Sequence, residues 1–420
     1  MNPHVLLIEA YTDANIGSGA LVFNAIEASR HFDPRADIRV MAHYPEAFRQ
    51  VSNVEAVGDV FHYPFGKARL QQALWLTVTL AWMAAVTIEV LLLPRTLRFL
   101  SKWKLRDLLW ADTIISVGAE RLNDKYPKNI AFSLFTYWIA KKSSRRMILF
   151  PCTIGPIFRR TTKRAVRFVL PKLDLVFVRD ETSADIVRTL EACAPERLIQ
   201  TTDVAILNHA APHDARLLRD SLGIPHGRSI VGISAMRWTY VHNSRDTSFS
   251  SYAAYVEQMA ALADRLIELY GVHVVFFPTN YPERGCREND VSVCHEIRDA
   301  MAHKEAATVI EVLPSAAQLQ AMLSLSEVNI TTRMHACILS TAAAIPTLSI
   351  NYLFKLRGYM ETLGLGEFSI DIEDFNCEDM LRLFDRMWRE RVKWKAHLEL
   401  RVTALQTALW KDLEPIRAFV

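Results

Sequence analysis

Arg333 and His335 are the residues on which chemistry is most readily placed. They stand in ITTRMHACILSTAAAIPTLSIN, where a β-prone apolar run meets a block of alanine, serine and threonine. Two cationic side chains at that junction either cap the strand in solvent or hold an anion. Being two apart, they project to the same side if the backbone stays extended. A helix starting near Met334 would add the positive end of its dipole. A further arginine, Arg237, closes another apolar run in VGISAMRWTY, beside Trp238 and Tyr240. Arginine's planar fork matches carboxylates and phosphates two-pronged and stays charged, while a histidine near neutrality both gives and takes protons. The set suits a ligand bearing a carboxylate, a phosphate or both. The small residues Ala336, Ser340 and Thr341 let the following helix sit close to its neighbours.

These side chains need a frame, and the hydrophobic pattern supplies one. Apolar runs at 4–10, 37–43, 113–118, 146–152 and 173–180 read as strands, and so do 229–235, 272–280, 307–313, 327–333 and 346–352. Helical patterns separate them, at 19–31, 128–142, 160–170 and 181–192, then at 250–270, 288–302, 315–324, 334–344 and 355–363. The strands are continuously apolar and not alternating, so both faces of each sheet are covered. This is a doubly wound α/β pattern occurring twice. The expected organisation is an N-terminal Rossmann-like domain over 1–206, a C-terminal one over 207–377 and helices over 378–420, with an apolar insertion at 70–100. Two such domains facing a cleft would bring the C-terminal strand ends together, where ligands of these sheets bind.

Other strand ends offer polar residues. After the first strand, YTDANIGSGALVFNAI places Asn15, Gly17 and Ser18 in a tight turn into a helix, whose free N–H groups make an anion or hydroxyl site. Either that turn binds a ligand or it is only a turn. VGAERLND supplies Glu120, Arg121, Asn123 and Asp124, and PCTIGPIFRR supplies Gly155, Arg159 and Arg160. Arg179 and Asp180 end a strand, as a structural clamp or a substrate contact, and Asp203 lies at the domain junction. The basic run 159–167 reads as a solvated helix face.

Composition narrows the function classes. The chain has 420 residues with a formal net charge of +3 and scattered aromatics, which argues against nucleic-acid binding. The six cysteines form no C-x-x-C pair and have no histidine at zinc-ligand spacing, so no metal site is expected and free thiols in a reducing compartment are. Cys286 and Cys294 are close enough along the chain to pair, as the alternative. The first ten residues read as a strand and lack a charged start with a cleavage site, so a cytoplasmic location is expected. ALWLTVTLAWMAAVTIEVLLL, at 73–93, carries Glu89 as its single charge and has basic residues on both flanks. It is either a buried helical hairpin or a monotopic segment on anionic lipid at the inner membrane surface.

Taken in order, NIGSGAL, TIGP, VFVRDETSADIVRTL, TTDVAIL, GISAMR and TTRMHACILSTAAAIPTLSINYLFKLRGYMETLGL resemble the polysaccharide pyruvyltransferase family over roughly residues 5 to 370. The family often has an acidic residue where Ser18 stands and a glycine triplet where this chain reads VGAER. The resemblance implies two Rossmann-like domains of GT-B-like form. It implies transfer of pyruvate from phosphoenolpyruvate, a co-substrate needing no cofactor, onto two hydroxyls of one sugar in a polysaccharide or lipid-linked precursor. On that reading Arg237, Arg333 and Ser340 bind the donor and His335 moves the proton. Asn15, Gly17, Ser18, Asp124, Arg179, Asp180 and Asp203 serve the acceptor or the structure.

Two other readings stand beside it. A GT-B nucleotide-sugar glycosyltransferase would use an acidic residue of the second domain to hold a ribose, and 333–352 contains none. An inactive scaffold of an exopolysaccharide complex would suit the altered triplet and the apolar segment.

Overall fold

The computed structural model describes residues 2–49, 54–64, 67–94, 99–100, 105–143, 145–237 and 252–420. Trp238 and Tyr240, and the basic residues Arg95, Arg98, Lys102 and Lys104, lie outside these. The chain forms two compact units, each built on a parallel sheet.

The first sheet contains β1 (His4–Ala10), β2 (Asp37–Ala42), β3 (Glu55–Gly58), β4 (Thr113–Ser116), β5 (Ala119–Leu122), β6 (Arg146–Ile154), β7 (Leu175–Val178) and β8 (Leu198–Gln200). Its order is β3-β2-β1-β4-β6-β7-β8, with β5 pairing onto β6. The second contains β9 (Ile230–Ser234), β10 (His273–Phe276), β11 (Ala307–Val309), β12 (Val328–Thr331), β13 (Thr347–Asn351) and β14 (Ser369–Asp371), in the order β11-β10-β9-β12-β13-β14. This is the dinucleotide-fold order 3-2-1-4-5-6, in which the winding reverses between the first and fourth strands. The reversal falls between β1 and β4 in one unit and between β9 and β12 in the other. Central strands such as β4, β7, β9 and β12 are buried at every position, as their unbroken apolar runs require.

All ten expected strands form. The four strands the pattern did not mark, β3, β5, β8 and β14, are three or four residues long and partly exposed, too short to carry a periodicity. All six cysteines are free, so the alternative pairing of Cys286 with Cys294 does not occur.

The division between units departs from a linear one. The first unit is residues 1–12, 21–203 and 409–420; the second is 13–20 and 204–408. Segment 13–20 joins the second unit through main-chain bonds: Ile16 N–H to Thr279 O at 2.9 Å, Tyr281 N–H to Ala14 O at 2.9 Å, and an Asn15–Asn280 bridge. The C-terminal helices are not a separate body. Cys377–Arg389 and most of Arg391–Leu413 belong to the second unit, while the last residues pack on the first. There Thr201 Oγ1 donates to Asp412 at 2.7 Å and Trp410 lies against His31.

The apolar insertion is not a hairpin. Arg69–Leu92 is one continuous helix of 24 residues. Trp75 and Trp82 pack on Phe132, Phe61 and Phe135 of the first unit, and the opposite side is open.

Arg179 and Asp203 are both buried and ion-paired, with Arg179 Nε donating to Thr153 Oγ1 at 2.9 Å. Asp203→Ala would strand that guanidinium. A loss of about 3–5 kcal/mol is expected, read as a lower urea midpoint by tryptophan fluorescence.

Candidate active site

The site is built at the C-terminal ends of β9 and β12, the adjacent strands flanking the reversal of the second sheet. After β12 the backbone leaves the extended form at once. Arg333 is the N-cap of the helix Met334–Ala342, so His335 lies in its first turn and does not project beside Arg333 as in a strand.

Arg333 is already held. Its Nε donates to Asp290 Oδ2 at 3.0 Å and its Nη2 to Asp290 Oδ1 at 2.6 Å, and Nη2 also reaches Glu288. Burial works against the guanidinium charge, but the two carboxylates more than offset it and hold Arg333 charged. Arg333, expected either to cap the strand in solvent or to hold an anion, is thus paired with acids of the chain itself. The acids come from residues 288–290, where the helix Asp290–Ala300 begins. Asp290 is 1% exposed and also accepts from Thr279 Oγ1 at 3.1 Å and Asn280 N at 3.1 Å. Glu288 is 39% exposed and also accepts from Asn280 Nδ2 at 3.1 Å. Arg237, after β9, pairs with Glu296, stacks 4.4 Å over the Tyr252 ring, and shares Glu296 with the Tyr252 hydroxyl.

His335 rests on Gly17. A Cβ built at Gly17 would stand 2.1 Å from His335 Nδ1 and 2.4 Å from Cγ, so only glycine admits the ring. Asn15 caps the helix Ile16–Phe32 by accepting from Ser18 N at 2.9 Å. Asp13 pairs with Arg284, and burial raises its carboxyl above the usual range against the pull of that arginine. Asn15, Gly17 and Ser18, expected on an N-terminal acceptor side, thus lie in the second unit, on the side of His335.

Ser340, expected to bind the donor, is fully buried. Its hydroxyl accepts from Asn329 Nδ2 at 2.6 Å and meets Thr347 Oγ1 at 2.7 Å, pinning the small-residue helix to β12 and β13. The remaining candidates serve the fold of the first unit. Asp124 accepts from Phe158 N and Arg159 N at 2.7 Å and Thr162 Oγ1 at 2.6 Å, capping the helix Arg160–Val169. Burial would raise that carboxyl, but these donors hold it below the usual range. Asp180 is the N-cap of Glu181–Thr189 through Ser183 N. The partner of Arg179 is Asp203, not its neighbour Asp180.

At the corresponding reversal in the first unit stand residues the motifs passed over. Glu9 ends β1 with φ of 67°, and Ala119, beyond β4, has φ of 70°, both costly for side chains with a Cβ. The Glu9 carboxylate accepts from Ser116, Ser133 and Tyr137, the last at 2.6 Å. Burial, and then the Glu9 charge, push the Tyr137 phenol well up. Tyr11, His43, Tyr44 and His62 cluster beyond β1 and β2, with His43 stacked on His62 at 4.2 Å. The one sequence signal was an acid closing an apolar strand, in HVLLIEA. Among the described residues no group of three or more His, Cys, Asp or Glu is placed to hold a metal ion.

The family model for polysaccharide pyruvyl transferase matches residues 15–353, through both strand ends of the second unit. The chain belongs to this family. The Amylovoran biosynthesis protein AmsJ of Erwinia amylovora is 22% identical over 381 residues, covering 88% of each chain. The family and this relative make the chain a transferase of polysaccharide biosynthesis, acting on a sugar or oligosaccharide. Solved structures share the fold. S. aureus MnaA in complex with UDP superposes with a TM-score of 0.58 at 11% identity, covering 94% of this chain and 91% of that one. Anabaena HepE in complex with UDP-glucose gives 0.55 at 13% identity, covering 99% and 97%. The two-domain GT-B-like, Rossmann-like architecture expected of the family is thus the one these structures share.

Gly17→Ala is expected to drive the His335 ring from its seat and to cost about 1–3 kcal/mol by overpacking. A crystal structure of the variant would show the displaced imidazole, and its melting temperature would fall. An unmoved ring would contradict the contact.

Proposed function

We propose that the protein transfers the pyruvyl group of phosphoenolpyruvate onto two hydroxyls of one sugar, in a polysaccharide or lipid-linked precursor, forming a cyclic ketal and releasing phosphate. The observation that carries this reading is the placement of Arg237, Arg333 and His335 at adjacent strand ends of the second sheet, in a chain of the pyruvyl transferase family. A doubly anionic donor calls for fixed cations, and these arginines are fixed by carboxylates.

Arg333 has spent three N–H groups on Asp290 and Glu288, and the two on Nη1 are not spent there. The ligand's carboxylate or phosphate would take those and displace Glu288, while buried Asp290 keeps the fork oriented. Arg237 would hold the other anionic group. His335 gives its proton to the methylene carbon, which becomes methyl while the adjacent carbon turns electrophilic. One sugar hydroxyl adds there and loses its proton. The second hydroxyl then displaces phosphate and loses its own proton, so both ketal C–O bonds come from the sugar. The reaction takes place in the cytoplasm, where phosphoenolpyruvate is available.

One observation favours a second reading. Glu288, partly exposed beside Arg333, is the kind of carboxylate a nucleotide-sugar glycosyltransferase uses on a ribose. Phosphate release with phosphoenolpyruvate, set against nucleoside diphosphate release with a sugar nucleotide, separates the two.

His335→Ala should lower phosphoenolpyruvate-dependent phosphate release by ~10²–10⁴-fold, the usual range for a general acid, with donor binding by calorimetry retained. A near-normal rate would refute the assignment. Glu288→Gln removes the anion that competes with the donor, so the KM for phosphoenolpyruvate should fall with kcat little changed; a KM that rises would show that Glu288 serves the substrate.

A further inference from the structure

The helix Arg69–Leu92 is inverted with respect to water. Leu70, Leu74, Val78, Ile88, Leu91 and Leu92, with exposed Ala81 and Ala84 between them, recur every three or four residues and so share the side away from the protein. These leucine, valine and isoleucine side chains are between 58% and 80% exposed. The one charged side chain within the apolar stretch, Glu89, turns inward instead and accepts from Leu100 N at 2.7 Å. Thr77, on the open side, returns its hydroxyl to Ala73 O at 3.1 Å. Beyond Gln71 in the first turn, the open face of this ~36 Å helix is therefore aliphatic.

The sequence flanking the helix is basic. From Val60 to Arg106 the sequence carries seven Lys or Arg, at 67, 69, 95, 98, 102, 104 and 106, and only Glu89 as an acid. At the N-terminal end Tyr63 accepts from Lys128 Nζ at 2.8 Å, donates to Gln72 at 2.8 Å and packs on Trp75. That is the pattern of an amphipathic aromatic with cations at a lipid headgroup level.

We infer that this face is a lipid-docking surface, on which the protein lies in the interface of an anionic phospholipid bilayer. The occupant follows from the chemistry. A protein partner would meet polar and hydrogen-bonding groups interleaved with apolar ones, at about one hydrogen bond per 100–200 Å². An aliphatic strip in a stretch whose flanking sequence is basic matches acyl chains beneath anionic headgroups. The helix does not cross the bilayer, because Trp75 and Trp82 hold its other side against Phe132, Phe61 and Phe135 of the first unit. The inference stands apart from the choice of donor.

The test is flotation of the full chain with vesicles of phosphatidylethanolamine and phosphatidylglycerol, beside vesicles of phosphatidylcholine alone. The protein should float with the anionic vesicles and bind the neutral ones more weakly. The double variant Leu74→Glu, Ile88→Glu, both at exposed positions, should lose vesicle binding by about tenfold or more. Its near-UV circular dichroism and turnover with a soluble acceptor should be unchanged. Vesicle binding that survives both substitutions would overturn the inference. So would a wild-type chain that ignores vesicles but forms a dimer in sedimentation experiments that the variant abolishes, since the face would then cover a second copy.

Discussion

The two-pronged bond between Arg333 and Asp290 is the constraint from which the second unit's site follows. Asp290 is buried, and a buried carboxylate is tolerated only when its oxygens are paired. It is met by Arg333 from the end of β12 and by Thr279 and Asn280 from the end of β10. That fixes the loop after β10, and the fixed loop receives segment 13–20: Thr279 O takes the Ile16 amide, Asn280 bridges Asn15, and the Tyr281 amide reaches Ala14. The same segment carries Gly17 to His335. One carboxylate thus orients the arginine directly and, through main-chain bonds, sets the surface on which the histidine rests.

This arrangement also accounts for how a buried guanidinium is tolerated. A guanidinium taken out of water without a partner is far costlier than one with two acids beside it. The two acids are not equivalent. Asp290 is enclosed and multiply bonded, whereas Glu288 is partly exposed. In the proposed reaction, Asp290 would keep the fork in place while the donor anion displaced the partly exposed Glu288.

The frame was legible because it rests on local rules. Doubly covered strands must be apolar at every position, and the residues just past the strand ends then include Arg237, Arg333 and His335. What escaped depends on distant pairings. Asp290 lies 43 residues before Arg333, and nothing in DVSVCHEI distinguishes it from an ordinary acid in a helix's first turn. NIGSGAL follows the first strand directly, so it reads as part of the first domain until the contacts of Thr279 and Asn280 are known. Ser340 was misread because a serine two turns into a helix faces whichever side the packing decides, and here Asn329 and Thr347 claim it. Glu9 was passed over because its role depends on Ser116, Ser133 and Tyr137 arriving from three later positions.

The helix Arg69–Leu92 obeys the same burial logic with the sign reversed. Burying a leucine or isoleucine is worth about 1.5–3 kcal/mol. Six such aliphatic side chains held in solvent therefore forgo roughly as much as the whole net stability of a typical domain, about 5–15 kcal/mol. Rotating the helix about its axis would bury those leucines only by exposing Trp75, Trp82 and Val86 along with Glu89. The observed orientation buries Glu89 and pairs it with the backbone at Phe99 and Leu100. A hydrocarbon layer on the outer side is an environment that favours this inward orientation of a carboxylate. The position of that one acid, together with the exposed leucines, is what the proposed lipid-docking face rests on.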